Sequence, residues 1–224
     1  MGSTRFFGQP IVRNEDPQLL TGQALFVDDV QLPEMLHAAF VRSTYAHARI
    51  VSIDVSKALE REGVVAVYTA ADLGDYWKPG PLLVPPPPID DIVFNQRTQV
   101  PLAKEKVRFV GEPLVMVLAE SRYIAEDALQ DIYVDYDPLS VVADLTTALE
   151  ADCALVHDDL NTNLCAHVVQ TKGDYFDAKK KAACVLKREF VYDHGAAAAM
   201  ENRGIVASWD RRAQRLTVWD TTQA

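Results

Sequence analysis

Residues 113–140 carry the pattern that most restricts what this chain can fold into. Residues 113–121 form a continuous apolar run, PLVMVLAES, which is typical of a strand covered on both faces of its sheet. Ser121 can accept a backbone N–H and so cap a helix in the next segment, RYIAEDALQDI. The apolar residues of that segment share one helical face: Ile124, Ala125, Ala128, Leu129 and Ile132. Because IYVDYDPL then returns as a strand, the stretch predicts a strand–helix–strand crossover unit.

The chain before this unit is predicted to supply further strands. Residues 36–43 and 48–55 are short apolar runs, and the second alternates as a half-buried strand does. A short helix should follow, with Ser56 as its cap and Gly63 as its left-handed stop. Another strand, VVAVYTA, comes directly after that glycine.

Two segments are predicted to lack regular structure. Residues 1–35 alternate charge, glycine and proline, and we expect this lead-in to run extended over a domain, with turns at Gly22 and Pro33. Residues 79–88, PGPLLVPPPP, cannot form a helix or a central strand, because each proline removes a hydrogen-bond donor and fixes its own φ. A surface loop is the simpler interpretation, and a proline-rich ligand for an SH3-like module is the alternative.

The C-terminal part of the chain predicts antiparallel sheet. Residues 144–164 indicate a short helix followed by a loop, and Asp174 can cap a helix that runs to Lys181. Three strand patterns follow, VLKREFVYDH, RGIVASWD and RLTVWDTT, and the polar turn RRAQ joins the last two. Since the sequence stops directly after a strand, we expect an incomplete second domain, whose uncovered sheet makes the isolated chain self-associate.

These elements together predict an α+β protein of two parts. The expected organisation is a lead-in at residues 1–19, a first domain at 20–145, a connection at 146–172 and the start of a second domain at 173–224.

Composition narrows the range of partners. The 224 residues carry a formal net charge of -10, which would repel a phosphate backbone, so we expect no nucleic-acid partner. No apolar run is long enough for a membrane span and the start lacks the apolar core of a signal peptide, so a cytoplasmic location is expected. The cysteines are widely spaced and odd in number, which indicates reduced, partly buried thiols: Cys153, Cys165 and Cys184.

Spacing alone assigns little chemistry. There is no G-x-G-x-x-G or Walker A segment, which disfavours a nicotinamide dehydrogenase. No histidine stands at metal-ligand spacing, so we assign no metal to side chains and expect structural roles for His37, His47, His157, His167 and His194. The acidic pairs are interpreted as caps and solvated turns: Asp28–Asp29, Asp90–Asp91 and Asp158–Asp159. Met200 and Glu201 follow the small residues GAAAA, which predicts a close-packed turn with a buried carboxylate that accepts backbone hydrogen bonds.

Several segments, taken in order, resemble one family. RNEDPQLLTGQALFVDDVQLPEMLHAAFVRS resembles the opening of the large subunit of xanthine dehydrogenase/aldehyde oxidase-type molybdenum hydroxylases. VRFVGEPLVMVLAES and YIAEDALQDIYVDYDPLSVV are similar to later parts of the same α/β hammerhead domain. HGAAAAMENRGIVASWD and RLTVWDTTQA resemble the start of the cofactor-binding domain that follows it, where P-M-E-x-R-G and S-T-Q recur. Alanine here replaces the usual proline before Met200, and Asn202 stands where proline is common.

The resemblance implies an activity and a set of partners. The family hydroxylates an aldehyde or an N-heterocycle with oxygen derived from water, using a molybdenum–pterin cofactor, while 2Fe-2S clusters and FAD on partner subunits remove the electrons. In the family the glutamine of S-T-Q approaches the molybdenum oxo group, and it matches Gln223 as a catalytic and cofactor-binding residue. The glycine-rich segment beside the pterin and the catalytic glutamate have no counterpart in this sequence. The resemblance leaves two explanations open: the remainder of the large subunit is a separate chain, or the gene is broken by a frameshift.

A second hypothesis belongs to a different class. The chain would then be a non-catalytic hammerhead module, acting in assembly or interaction or left by a truncated gene. A neighbouring reading frame with D-V-G-G-G-F-G favours the split enzyme, and its absence favours this alternative. The substrate stays open, because the family's specificity loops have no counterpart here.

Overall fold

A computed structural model describes residues 8–82, 86, 88, 92–192, 195 and 198–222. The α-helices are α1 Asp16–Leu20, α2 Ser56–Leu59, α3 Arg122–Ala128 and α4 Tyr175–Lys181, with 3-10 turns at Val27–Asp29, Gly74–Tyr76 and Leu129–Asp131. The strands are β1 His37–Arg42, β2 Ala48–Asp54, β3 Val64–Thr69, β4 Ile92–Phe94, β5 Lys106–Val107, β6 Pro113–Ala119, β7 Tyr133–Pro138, β8 Ala166–Val168, β9 Ile205–Asp210 and β10 Arg215–Asp220. The chain divides into one unit of Glu34–Leu186 and another of Met1–Pro33 with Lys187–Ala224.

The mixture of helices and strands agrees with the α+β class predicted from the sequence. The domain limits inferred from the sequence stay a prediction. Among the described residues, no helix is both long and apolar enough to cross a membrane.

Strand β6 is the centre of the larger unit. It pairs antiparallel with β1 on one side and with β3 on the other. Leu114, Val115 and Val117 have no solvent exposure, as expected for a strand covered on both faces. The strand predicted at residues 113–121 is therefore confirmed.

The predicted crossover unit is wrong. Strand β7 lies in a second three-stranded sheet, in the order β5-β2-β7, whereas β6 belongs to the sheet β1-β6-β3. Strand β7 pairs antiparallel with β2, so helix α3 joins two different sheets instead of two parallel neighbours. The periodicity of apolar residues correctly predicted the two strands and the helix, but it carries no information about which strands pair with each other.

Side chains from both sheets meet in the main core of the larger unit. The buried members are Ala48, Ala103, Val107, Leu114 and Val115. Partly buried residues from the surrounding strands complete this core: Val41, Ile50, Ile53, Val55, Val67, Ile132, Val134 and Tyr136. Burying a Val or Leu side chain contributes roughly 1.5–3 kcal/mol, so this cluster is the main source of stability for the unit.

Helix α3 begins as the sequence predicted. The Ser121 hydroxyl accepts the backbone N–H of Ile124 at 3.3 Å. Ala125 and Ala128 are buried, and Ala125 packs with Ala39 and Ala119 in a second apolar cluster. Gly63 adopts φ 83°, and a Cβ at that position would lie 2.7 Å from Cδ1 of Ile124. The glycine therefore ends the preceding turn and also makes room for α3.

Two predicted helix features in the larger unit are wrong. Ser56 is the first residue of α2, and its N–H and hydroxyl both donate to Oδ1 of Asp54, at 3.0 and 2.7 Å. Asp54 therefore organises this turn. Residues 145–152 form turns and no helix. The Asn163 amide holds this loop instead, donating to the carbonyls of Ala148 and Ala154 at 2.9 and 2.8 Å.

The helix predicted from Asp174 to Lys181 is confirmed as α4. The Asp174 carboxylate accepts the N–H of Asp177 at 2.8 Å. The strand predicted at residues 185–194 is wrong over its described part, since residues 182–192 form no strand and are exposed. His194 lies outside the described residues. A strand needs a hydrogen-bonding partner, and no described residue pairs with this segment.

Strands β9 and β10 form the predicted antiparallel hairpin. Their register pairs Ile205 with Asp220 and Trp209 with Leu216. Gln214, in the connecting turn, has φ 50°. The described residues of the proline-rich stretch, 79–82, 86 and 88, lie in neither helix nor strand.

Candidate functional site

The predicted site residue, Gln223, lies outside the described residues. The residues that precede it are described as far as Thr222. Thr221 directly follows β10. The end of that strand is surrounded by the hydrogen bonds of Thr221, the packing at Gly204 and the contact of Glu201 with the N-terminal turn.

Thr221 ties the end of β10 to the residue that precedes β9. Its hydroxyl oxygen accepts the N–H of Gly204 at 2.8 Å, and its own N–H donates to the Gly204 carbonyl at 3.1 Å. The same hydroxyl lies 3.3 Å from the carbonyl oxygens of Asn202 and Gly204, to either of which it can donate. The backbone two residues before Gln223 is thus held by both its main chain and its side chain.

Gly204 is also the point where the N-terminal segment touches this hairpin. An added Cβ at Gly204 would lie 3.2 Å from Cγ1 of Val27 and 3.5 Å from its Cβ. A methyl group at this position would be a tight fit, and the Val27 side chain would have to shift by a few tenths of an ångström. The lead-in therefore packs on the hairpin at this contact, within the smaller unit. The expectation that it is extended throughout is wrong, because it contains helix α1 and the 3-10 turn Val27–Asp29.

Glu201 binds the same N-terminal turn through a hydrogen bond to Val27. Its Oε1 accepts the backbone N–H of Val27 at 3.1 Å. The turn itself is closed by two bonds, from the N–H of Phe26 to Oδ2 of Asp29 at 3.0 Å and from the N–H of Asp29 to the Phe26 carbonyl at 3.0 Å. The sequence correctly predicted a carboxylate that accepts a backbone hydrogen bond, but Glu201 is exposed rather than buried, and Met200 is fully exposed.

The third Asp–Asp pair, Asp158–Asp159, lies in an exposed turn as predicted, but its carboxylates also form ion pairs that the sequence did not indicate. Asp158 forms an ion pair with Lys106 at 2.6 Å, and Asp159 forms one with Arg97. The Lys106 hydrogen bond is the main reason why the pKa of Asp158 lies below its usual value. In the first pair, Asp29 caps its turn as predicted. Asp90 and Asp91 lie outside the described residues.

Further polar groups of the larger unit are buried or half-buried. Glu112 is 5% exposed, and its Oε2 accepts the N–H of Arg108 at 2.6 Å. Burial raises the pKa of Glu112 in spite of the opposing effect of Arg108. Burial, and then the charge of Arg108, lower the pKa of His157. His47 is 6% exposed, with Nδ1 2.6 Å from the Ser140 carbonyl, and its Nε2 has no hydrogen-bond partner among the described residues.

Metal-ligating side chains do not converge in the described part of the chain. No group of three or more His, Cys, Asp or Glu residues there could hold a metal ion. The cysteines are free thiols, but only Cys153 is half-buried, whereas Cys165 and Cys184 are exposed, contrary to the sequence-based prediction. Cys153 borders a cavity of about 260 Å³ whose wall includes Asn163. The amide of Asn163 already donates hydrogen bonds to two backbone carbonyls of its own loop.

Sequence reasoning missed the contacts around Thr221. Val27, Gly204 and Thr221 carry no signal of their own, because each is an ordinary residue for a turn or a strand end.

Comparison with known proteins gives matches along nearly the whole chain. Residues 21–140 match the family model described as aldehyde oxidase and xanthine dehydrogenase, a/b hammerhead domain. Residues 156–224 match the model of a molybdopterin cofactor-binding domain. The resemblance stated from the sequence is therefore confirmed.

Individual relatives support the same assignment. The carbon monoxide dehydrogenase large chain of Afipia carboxidovorans is 39% identical over 95% of this chain and 27% of its own length. The nicotine 6-hydroxylase large subunit of Paenarthrobacter nicotinovorans is 34% identical over 100% of this chain and 28% of its own. Thus the chain spans between a quarter and a third of these relatives.

A solved structure shares the fold. The crystal structure of quinoline 2-oxidoreductase from Pseudomonas putida matches with a TM-score of 0.83 and 37% identity, over 95% of this chain and 26% of the other. Because a family model covers more than half of the residues and the fold agrees, this chain belongs to the aldehyde oxidase and xanthine dehydrogenase family.

Proposed function

We propose that this chain provides the N-terminal part of the large subunit of a molybdenum hydroxylase, and that it is active only when further chains complete it. The observation that carries the proposal is the order of the two family matches, hammerhead domain first and cofactor-binding domain second. The reaction is the oxidative hydroxylation of an aldehyde or an N-heterocycle, with oxygen from water.

The names of the relatives favour the N-heterocycle class. Nicotine 6-hydroxylase and quinoline 2-oxidoreductase are both named for nitrogen heterocycles. The carbon monoxide dehydrogenase relatives add a third possible substrate. Several relatives are named as large chains or as the subunit of a complex, which supports iron–sulfur and FAD subunits as partners of this chain.

An apolar surface on the smaller unit supports completion by another polypeptide. Ile205, Trp209, Leu216 and Val218 lie on one face of the β9–β10 hairpin and are between 45% and 68% exposed. An apolar sheet face of this kind marks a protein–protein contact in a soluble protein. We expect the remainder of the cofactor-binding domain to cover it.

The residues of this chain suit a molybdenum–pterin cofactor that brings its own metal ligands. The described residues include no side-chain group able to hold a metal ion, so the chain would contribute hydrogen-bond donors instead. Bound there, the cofactor would supply the redox chemistry. Gln223 would contribute a neutral amide donor, which polarises an acceptor without adding charge, and Thr221 would hold the strand end from which Gln223 continues.

Reconstitution tests this function. The chain would be co-expressed with a polypeptide that carries the remainder of the large subunit and with the iron–sulfur and FAD subunits. We expect stoichiometric molybdenum in the complex, and turnover in a screen of aldehydes, N-heterocycles and carbon monoxide. A folded complex that contains molybdenum but oxidises none of these classes would refute the enzymatic proposal and favour the non-catalytic module.

A further inference from the structure

We infer that Glu201 is a positioning residue, which acts through the N-terminal turn at Val27–Asp29 and through Gly204 on the strand end that leads to Gln223. For its catalytic consequence this inference depends on the proposed function. For its structural consequence it depends only on contacts within the smaller unit. None of the residues in this chain of contacts would touch the substrate.

The first step is the hydrogen bond between Glu201 and Val27. The carboxylate accepts the Val27 N–H at 3.1 Å, although 174 residues separate the two in sequence. The first N–H groups of a helical turn have no partner within it, so a side-chain acceptor from elsewhere determines where such a turn lies. Glu201 thus ties the N-terminal turn to the hairpin through one hydrogen bond.

The second step is the packing of that turn on Gly204. Val27 Cγ1 would stand 3.2 Å from a Cβ at Gly204, which leaves no free space between this side chain and the glycine. Val30, at the end of the turn, and Val206, two residues after Gly204, are both buried. The turn therefore presses on the backbone just before β9.

The third step connects Gly204 to the end of β10. Gly204 exchanges two hydrogen bonds with Thr221, at 2.8 and 3.1 Å, and the Thr221 hydroxyl can donate to a carbonyl of the same loop. A shift of Gly204 must therefore move Thr221. Misplacement of a donor by about 1 Å can lower a reaction rate on the order of 10²-fold. A displaced N-terminal turn is therefore expected to lower the rate, although the turn does not contact the substrate.

The conservative variant Glu201→Gln separates positioning from charge. Its amide oxygen can still accept the Val27 N–H, whereas Glu201→Ala removes the acceptor. In the reconstituted complex we expect Glu201→Ala to lower kcat per bound molybdenum by about tenfold with KM nearly unchanged, and Glu201→Gln to restore most of that loss. Glu189→Ala is the matched control, because Glu189 is an exposed glutamate of the same unit.

A double-mutant cycle tests whether the effect passes through Thr221. Thr221→Val removes the hydroxyl but keeps the shape of the side chain, and Thr217→Val is its control within β10. We call the three contacts Glu201–Val27, Val27–Gly204 and Gly204–Thr221 the relay. If Glu201 acts through this relay, the double variant Glu201→Ala/Thr221→Val should be little slower than the slower single variant. Effects that multiply would show independent roles and would overturn the relay.

A measurement without turnover keeps this inference separate from the hydroxylase proposal. In the 224-residue chain itself, hydrogen exchange at the amides of Gly204 and Thr221 should be faster in Glu201→Ala than in wild type, and unchanged in Glu201→Gln and Glu189→Ala. Equal exchange in wild type and Glu201→Ala would overturn the positioning role. If instead exchange responds as expected but no wild-type complex turns over any substrate, the structural relay stands and the proposed enzymatic function fails.

Discussion

Nζ of Lys106 lies 2.6 Å from Oδ2 of Asp158, and this single ion pair joins a lysine that is 4% exposed to an aspartate that is 63% exposed. The two residues are 52 positions apart. Lys106 belongs to the short strand β5, whereas Asp158 lies in the long connection after β7. The pair therefore anchors that connection to the sheet β5-β2-β7, within the larger unit.

The first prediction concerns this ion pair. Asp158→Asn leaves the buried Lys106 ammonium without its counter-charge, and we expect it to lower the free energy of unfolding by about 1 kcal/mol, since the exposure of Asp158 limits the loss. Asp159→Asn is the matched control, because its partner Arg97 is more exposed and should be well solvated alone. Urea unfolding measures both. A larger loss in Asp159→Asn than in Asp158→Asn would contradict the assignment.

The second prediction is a pH dependence that originates at Glu112. Burial raises the pKa of this carboxyl, so the folded chain binds more protons than the unfolded chain in the range above its usual value of 4.5. Stability must then decrease as pH rises through this range and the native carboxyl loses its proton. Glu112→Gln does not titrate. The unfolding free energy of wild type minus that of the variant should therefore fall as pH increases from about 4 to about 8, and a rising difference would show the opposite shift of the pKa.

The third prediction tests the contact between Gly204 and Val27 by compensation. Gly204→Ala introduces a methyl group 3.2 Å from Cγ1 of Val27, and overpacking of this kind typically costs 1–3 kcal/mol, so a loss of about 1 kcal/mol is expected. Val27→Ala removes Cγ1, so the double variant should lose less stability than the sum of the two single variants. Thermal and urea unfolding provide the three differences. Simple additivity would mean that the two residues are not in contact.

The fourth prediction is that the isolated chain self-associates through the apolar face of the hairpin. Trp209 and Leu216 lie opposite each other on that face. Replacing them together, as Trp209→Lys with Leu216→Glu, keeps a favourable cross-strand pair and removes the apolar surface. We expect the sedimentation coefficient to fall toward that of a monomer. The control, Tyr76→Lys, removes a residue that is 89% exposed in the larger unit and should change nothing.

The fifth prediction concerns Gln223 in the reconstituted complex. If its amide donates to the cofactor, Gln223→Ala should lower turnover by something on the order of 10²-fold and leave the molybdenum content nearly unchanged. Activity is therefore expressed per bound molybdenum. A glutamine with a purely structural role would instead lose cofactor or subunit association in proportion to activity. Equal activity per molybdenum in variant and wild type would remove its catalytic role.

The sequence by itself determined the elements that depend on near neighbours. Ser121 and Asp174 cap helices where they were expected to, and β9 and β10 pair across the predicted turn. Each of these features requires only a few adjacent residues, so alternation and capping residues suffice to predict it. Family membership also followed from the sequence, because whole phrases of the chain match the family in order.

The candidate site was only partly predictable. Gln223 came from the family resemblance alone, and Glu201 was expected to accept a backbone hydrogen bond, although not from an exposed position. No local pattern links Val27 to Glu201, because contacts across such a separation depend on how the chain returns on itself.

Only the tertiary structure decided how the elements combine. It placed β6 and β7 in different sheets and left residues 182–192 without a strand partner. It also showed that Asp158 forms an ion pair with the buried Lys106. Strand pairing and ion pairing join groups that are distant in sequence, and their free energy depends on burial and distance. Those two quantities exist only once the chain has folded.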